Sequence, residues 1–352
     1  MDVLLLARTQ FGILASFHAL FPAITLMLGW VLFGLYARAL RQRDSGGASA
    51  RDKRRVRAFW TRVHALAFML SGISALALSA QAAVLQGTEA VFSPLAGLGF
   101  LVAFGMQALG LVVLLARRMV VRRRVQAAGA LLVALGGTLW SAELAILGYL
   151  VGGAAAGVTL LQSGLLALLI SNLTVGSLLS GLSSLRILTG ERTRAQRAML
   201  RTGLWMTALS APLIVLFCAR LARLDGTQAT VFAVALVALA LLSWATLSLQ
   251  PRHGSQVAVG LPSPGLLTGL LGASFAGWPV TLILLHGAVP LRALMPLPLP
   301  AGVAGDLPQT MVAYAAVTVL LVAFFCAAIV GMARNAAVER SARIGMGLLP
   351  AE

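Results

Sequence analysis

ARTQFGILASFHALFPAITLMLGW, residues 7–30, is apolar almost throughout, and the apolar character continues to about residue 37. A bilayer core is crossed by about 20 such residues in a helix. The stretch therefore reads as a membrane span, and it sets the class of the whole chain. It also carries one ionisable side chain at depth, His18. Imidazole is costly to bury in hydrocarbon without a partner, and it is a common metal and haem ligand.

The rest of the chain agrees with that first run. Of its 352 residues, 59% are hydrophobic and only 11% are charged, against roughly a quarter in a soluble domain. Such a chain cannot cover itself with polar surface. The net charge of +17 would suit nucleic acid if it formed one patch. Instead the arginines stand in short clusters between apolar runs, as in loops on the cytoplasmic side of a membrane. No nucleic-acid partner is expected. The N-terminus lacks a basic segment followed by a small-residue cleavage site, so no cleavable leader is expected.

Nine spans are predicted, at about 11–37, 63–86, 94–116, 125–151, 157–185, 200–222, 228–249, 264–288 and 309–333. The predicted fold is an all-α polytopic membrane protein, a single membrane domain over 1–352. The first connection, RALRQRDSGGASARDKRRVRAFWTR, reads as the longest polar stretch. It is basic, as are the third (RRMVVRRR), the fifth (RILTGERTRAQR) and the C-terminal tail. The second and fourth are nearly free of positive charge, and the sixth is a mild exception with two arginines and an aspartate. By the positive-inside rule the N-terminus lies outside and the C-terminus inside. No GxxxxGK[ST] or GxGxxG follows a strand-like run, which excludes transport driven by an ATPase of this chain's own.

Few residues could carry chemistry at membrane depth. His18 reads either as an axial haem ligand or as an interhelical hydrogen-bonding group, with no evident histidine partner. His64 reads as interfacial, His286 as near a span end and His253 as in a loop. Glu143, in GTLWSAELAILGY, is the one deep carboxylate; a proton relay would need polar groups in series, and only Thr138 and Ser141 stand near it in sequence. A protonated, hydrogen-bonded Glu143 is the expected state. Cys218 and Cys326 lie far apart in apolar runs, without CxxC or CxxCH, and read as core thiols. The small-residue stretch GSLLSGLSSL is helix-packing chemistry.

The opening run resembles the first helix of subunit I of the cytochrome bd quinol oxidases. Arg8, Gln10, Phe11, Phe17, His18 and Phe21 stand where that family has R-x-Q-F, a bulky residue, histidine and a phenylalanine-rich continuation. The resemblance continues in order: Phe59–Trp60, Gln81, SPLAG at 93–97, VALG at 133–136, AQRAMLRTGLWM, AGW at 276–278 and HGAVP at 286–290. It implies a nine-span fold with the N-terminus outside, in the cytoplasmic membrane of a bacterium or archaeon.

The departures are as informative as the matches. The resemblance places the family's two third-helix glutamates at Leu98 and Met106, and its second-helix glutamate at Ser79. The histidine that ligates the low-spin haem falls at or near Asn172; a gapless count gives Leu166. No methionine occurs in 228–249 to oppose it, and the glutamate before AGW is Phe275. In place of the arginine and glutamine of the family's G-R-Q-P motif stand Ala288 and Val289. The long quinol-oxidising loop shrinks to a few residues around Asp225.

His18 thus remains as the one surviving ligand position, a candidate residual haem or metal ligand. No catalytic residue is expected, and none of haems b and d is expected in this chain. The resemblance implies a non-catalytic subunit paired as a heterodimer with a haem-bearing subunit I, among membrane lipid and a structural quinone. Two alternatives stand beside it. One is a membrane protein holding a single haem through His18; the other is an unrelated transporter or scaffold, for which no half-to-half repeat is evident.

Overall fold

The computed structural model describes residues 3–41, 48–86, 94–116, 122–148, 160–189, 193–221 and 303–345, with a few isolated positions between 234 and 244. All regular structure among them is helical. The helices are α1 (Val3–Arg41), α2 (Ala48–Gln86), α3 (Pro94–Leu115), α4 (Arg123–Gly148), α5 (Leu160–Leu188), α6 (Arg194–Leu221) and α7 (Val303–Gly345). Seven helices among the described residues are long and apolar enough to cross a membrane. They correspond to the predicted spans one to six and nine. The remaining two, 228–249 and 264–288, lie almost wholly outside the described residues, as does Phe275.

Several helices run beyond the bilayer. At 1.5 Å per residue, the 39 residues of α1 reach about 58 Å, nearly twice the hydrocarbon thickness. The helix α2 begins at Ala48, so residues 48–62, read as loop from their charge, are helical. Alanine, arginine and lysine are good helix formers, and polarity alone does not break a helix. A loop reading needed glycine or proline, and only Gly46 and Gly47 supply them.

Contacts divide the chain into two compact units. The first comprises Met1–Arg43, Trp60–Ser171 and Thr281–Phe324; the second comprises Asp44–Phe59, Asn172–Val280 and Phe325–Glu352.

In the first unit α4 packs against both α1 and α3. Glycine makes this close approach feasible. A Cβ at Gly110 would meet the Gly129 carbonyl oxygen at 2.5 Å, and one at Gly136 would meet the Ala103 carbonyl oxygen at 2.8 Å. On the other face of α4, a Cβ at Gly137 would lie 3.1 Å from the Thr25 carbonyl oxygen. In the second unit α5 and α6 pair the same way, Gly176 against Thr207 and Gly203 against Ser180. Lipid is as apolar as leucine, so close backbone packing of this kind holds membrane helices together.

Candidate functional site

His18 lies on α1 inside the first unit, 5% exposed. Pro22, one turn on, has no N–H to give the His18 carbonyl. The turn is supported instead by Thr25, whose hydroxyl donates to the Pro22 carbonyl at 3.1 Å. Across the bundle, His18 Nδ1 lies 2.9 Å from Ser74 Oγ on α2. The Ser74 hydroxyl spends its proton on the Ser71 carbonyl, at 3.1 Å. With the hydroxyl proton on that carbonyl, Ser74 Oγ accepts from His18 Nδ1–H. That tautomer leaves the lone pair on Nε2, the arrangement in which a metal-binding histidine is usually held.

Ser74 belongs to a buried polar stripe. Thr61, His64, Ser71 and Ser74 are each 1% exposed or less, and their spacing places them on one face of α2. At one end Thr61 shares a hydrogen bond with the Tyr36 hydroxyl of α1, at 3.2 Å; at the other end stands His18. His64 is wholly buried, and neither ring nitrogen has a hydrogen-bond partner. Whatever its depth in the membrane, His64 is enclosed by protein. The helix α2 starts well before it, at Ala48, and packs this part of its length inside the bundle.

Further unpartnered polar atoms lie in the same unit: both amide atoms of Gln107, Trp140 Nε1 and Ser141 Oγ. An aromatic series fills the space beside them. Phe68 stacks with Phe104 (centroids 4.7 Å), and Phe100 with Trp140 (4.3 Å). The stripe was legible as polar positions repeating at helical spacing along α2, though serine and threonine in a span give only a faint signal.

The other expected positions are dispersed. Leu98 is 60% exposed on the outer face of α3, and Met106 and Ser79 are half-buried. In the second unit, Asn172 Nδ2 donates to Ser210 Oγ at 2.5 Å and to the Met206 carbonyl at 3.4 Å, both on α6. Its amide is a bridge between helices. Glu143 lies on α4, but its side chain is outside the described residues, as are those of Arg8, Gln10, Phe11, Phe17, Gln81 and Cys218. His253, His286, Ala288, Val289 and Asp225 are outside them altogether. Cys326 is a free, half-buried thiol.

Among the described residues no group of three histidine, cysteine, aspartate or glutamate side chains could hold a metal ion. For haem, His18 fits as a single axial ligand: it is buried, and the tautomer that donates Nδ1–H to Ser74 leaves a lone pair on Nε2. Leu98 and Asn172 do not extend that set, whereas Met106, half-buried on α3, carries a thioether sulfur. Leu98 has no donor atom, and an amide nitrogen such as that of Asn172 has no lone pair for iron.

Residues 6–147 match the family model of cytochrome bd terminal oxidase subunit I. No curated protein matches the chain. Among solved structures, a chain of the bd oxidase from Geobacillus thermodenitrificans matches with a TM-score of 0.68 at 13% identity, covering 95% of this chain and 99% of that one. At that identity the likeness speaks for the fold alone, and the family match covers the N-terminal part of the chain. This multi-pass membrane protein is thus similar to cytochrome bd terminal oxidase subunit I over residues 6–147, and to a bd oxidase chain in its fold.

Proposed function

We propose that this chain is a non-catalytic, structural subunit of a bd-type quinol:oxygen oxidoreductase, packed as a heterodimer against a haem-bearing subunit I in the cytoplasmic membrane. The observation that carries the reading is what stands at the ligand positions implied by the resemblance. Leu98 presents a hydrocarbon side chain on the outside of its helix, and the Asn172 amide is committed to α6. Low-spin haem needs two strong axial donors; the bridging amide of Asn172 is not one, and the run 228–249, where the opposing methionine is expected, has no methionine. The aromatic series of Phe100, Phe104 and Trp140 agrees with it, since an interior that has lost a large prosthetic group packs closely only when large side chains replace it.

In such a complex this chain's own work is structural. Its glycine-faced helix pairs hold the fold, and its polar stripe offers hydroxyl and imidazole groups in series toward His18. Haems b and d, held by the partner, would supply the electron transfer and oxygen chemistry.

The test is to capture the tagged chain from its native membrane and record a reduced-minus-oxidised spectrum. Haem bands that follow a larger co-purifying subunit, and vanish when that subunit is stripped away, are expected. A full set of b and d bands in the isolated chain would overturn the reading.

A second reading is favoured by one observation, the His18–Ser74 bond that leaves Nε2 with its lone pair. In it, His18 alone ligates one haem. That requires a Soret band in the purified chain which disappears in His18→Ala.

A further inference from the structure

The second unit buries positive charge and unpartnered donors at the ends of α5 and α6 where arginines gather. The two helices run antiparallel. Contacts of Gly176 with Thr207, Gly203 with Ser180, and Asn172 with Ser210 set their register. Carried two turns on, that register puts Arg186 of α5 level with Gln196 of α6. Both belong to the packed stripes: Arg186 lies seven residues beyond Leu179, and Gln196 seven before Gly203, so each returns to the facing side.

Both side chains are out of solvent, Arg186 at 1% and Gln196 at 0% exposure. The Arg186 guanidinium lies over the Phe59 ring of α2, 4.2 Å from its centroid. Gln196 has no hydrogen-bond partner for either its amide nitrogen or its amide oxygen, and the Arg197 Nε beside it has none either.

Leaving such groups unmade is expensive. A buried amide without partners costs on the order of 1–3 kcal/mol. Gln196 is not needed to finish the helix end, because the Thr193 hydroxyl already takes the Gln196 backbone N–H at 3.2 Å. A helix N-terminus also favours an anion at this point. The sequence around it is one-sided: residues 186–201 carry five arginines and one glutamate. In the same unit, residues 44–59 add Arg51, Lys53, Arg54, Arg55 and Arg57 against Asp44 and Asp52.

The geometry points to an anion site for a phosphate group between α5 and α6, formed by Arg186, Gln196 and Arg197. A tetrahedral phosphate accepts from a guanidinium and from an amide N–H together. Gln196 Oε1 accepts at the same time, which suits a ligand carrying a hydroxyl beside its phosphate. The source is either the headgroup of an anionic phospholipid or a free phosphate, and the ends of membrane-spanning helices lie at the level where lipid phosphates are found.

The experiment uses the full chain purified in a neutral detergent, with whatever partner accompanies it. Its melting temperature is followed while phosphatidylglycerol, phosphatidylcholine or inorganic phosphate is added at constant ionic strength. Phosphatidylglycerol is expected to raise the melting temperature where phosphatidylcholine does not, and Gln196→Leu and Arg197→Gln to weaken its apparent affinity at least about tenfold. An equal response to inorganic phosphate alone, lost in the same variants, assigns the site to free phosphate and supports it equally. An unchanged response in both folded variants, or the same shift with potassium chloride alone, overturns the site. Arg186→Gln is the harsher variant, and the two milder ones decide if it does not fold.

Discussion

At the residue scale, His18 shows how a single side chain is read twice. Its burial in an apolar run is plain from the sequence, but its state depends on Ser74, far along the chain. Ser74→Ala would leave the Nδ1–H of a buried imidazole without an acceptor. A loss of about 0.5–2 kcal/mol is expected, measured by thermal unfolding in detergent. His18→Leu combined with Ser74→Ala should cost less than the sum of the two changes, since both partners go together. His64 is expected to behave in the opposite sense. Neither of its nitrogens is bonded, so His64→Leu keeps the volume and removes a desolvation cost. Its melting temperature should be unchanged or higher; a marked fall would mean that His64 holds a ligand or an ordered water. The burial of His64 within protein was not legible, because a sequence window shows where charge ends, not which helix face is covered.

At the element scale, the helices were legible because apolar runs of this length admit few alternatives in a membrane. Their ends were less so, as α2 shows by continuing through DKRRVRAFWTR. Which glycines matter was not legible at all. Gly203 and Gly105 are alike in sequence, yet a Cβ at Gly203 would meet the Ser180 backbone nitrogen at 2.6 Å, and one at Gly105 would meet nothing within 4 Å. Backbone cannot rotate aside as a side chain can, so Gly203→Ala should force α5 and α6 apart at a cost of about 1–3 kcal/mol. Gly105→Ala should be neutral or gain up to about 1 kcal/mol from helix propensity. Paired melting curves check both, and equal effects would show that the α5–α6 contact is slack.

At the scale of the whole molecule, the arginine clusters argue for one orientation. In a background with Cys218 and Cys326 replaced by alanine, Thr88→Cys is expected to react with a membrane-impermeant maleimide in intact cells. Ser45→Cys should react only after lysis, and the reverse pattern would invert the topology. The sequence by itself determined the class of the protein, seven of its predicted spans and its likeness to bd oxidase subunit I over residues 6–147. Hydrophobic length, charge placement and collinear motifs are local properties, and the bilayer turns them into structure with little freedom. Only the tertiary structure decided what the polar residues do. It bonded His18 to Ser74, tied the Asn172 amide to α6, placed Leu98 outside and buried His64 and Gln196 without partners. Those outcomes depend on register between helices distant in the chain, set by glycine contacts and side-chain volume, which no local pattern records.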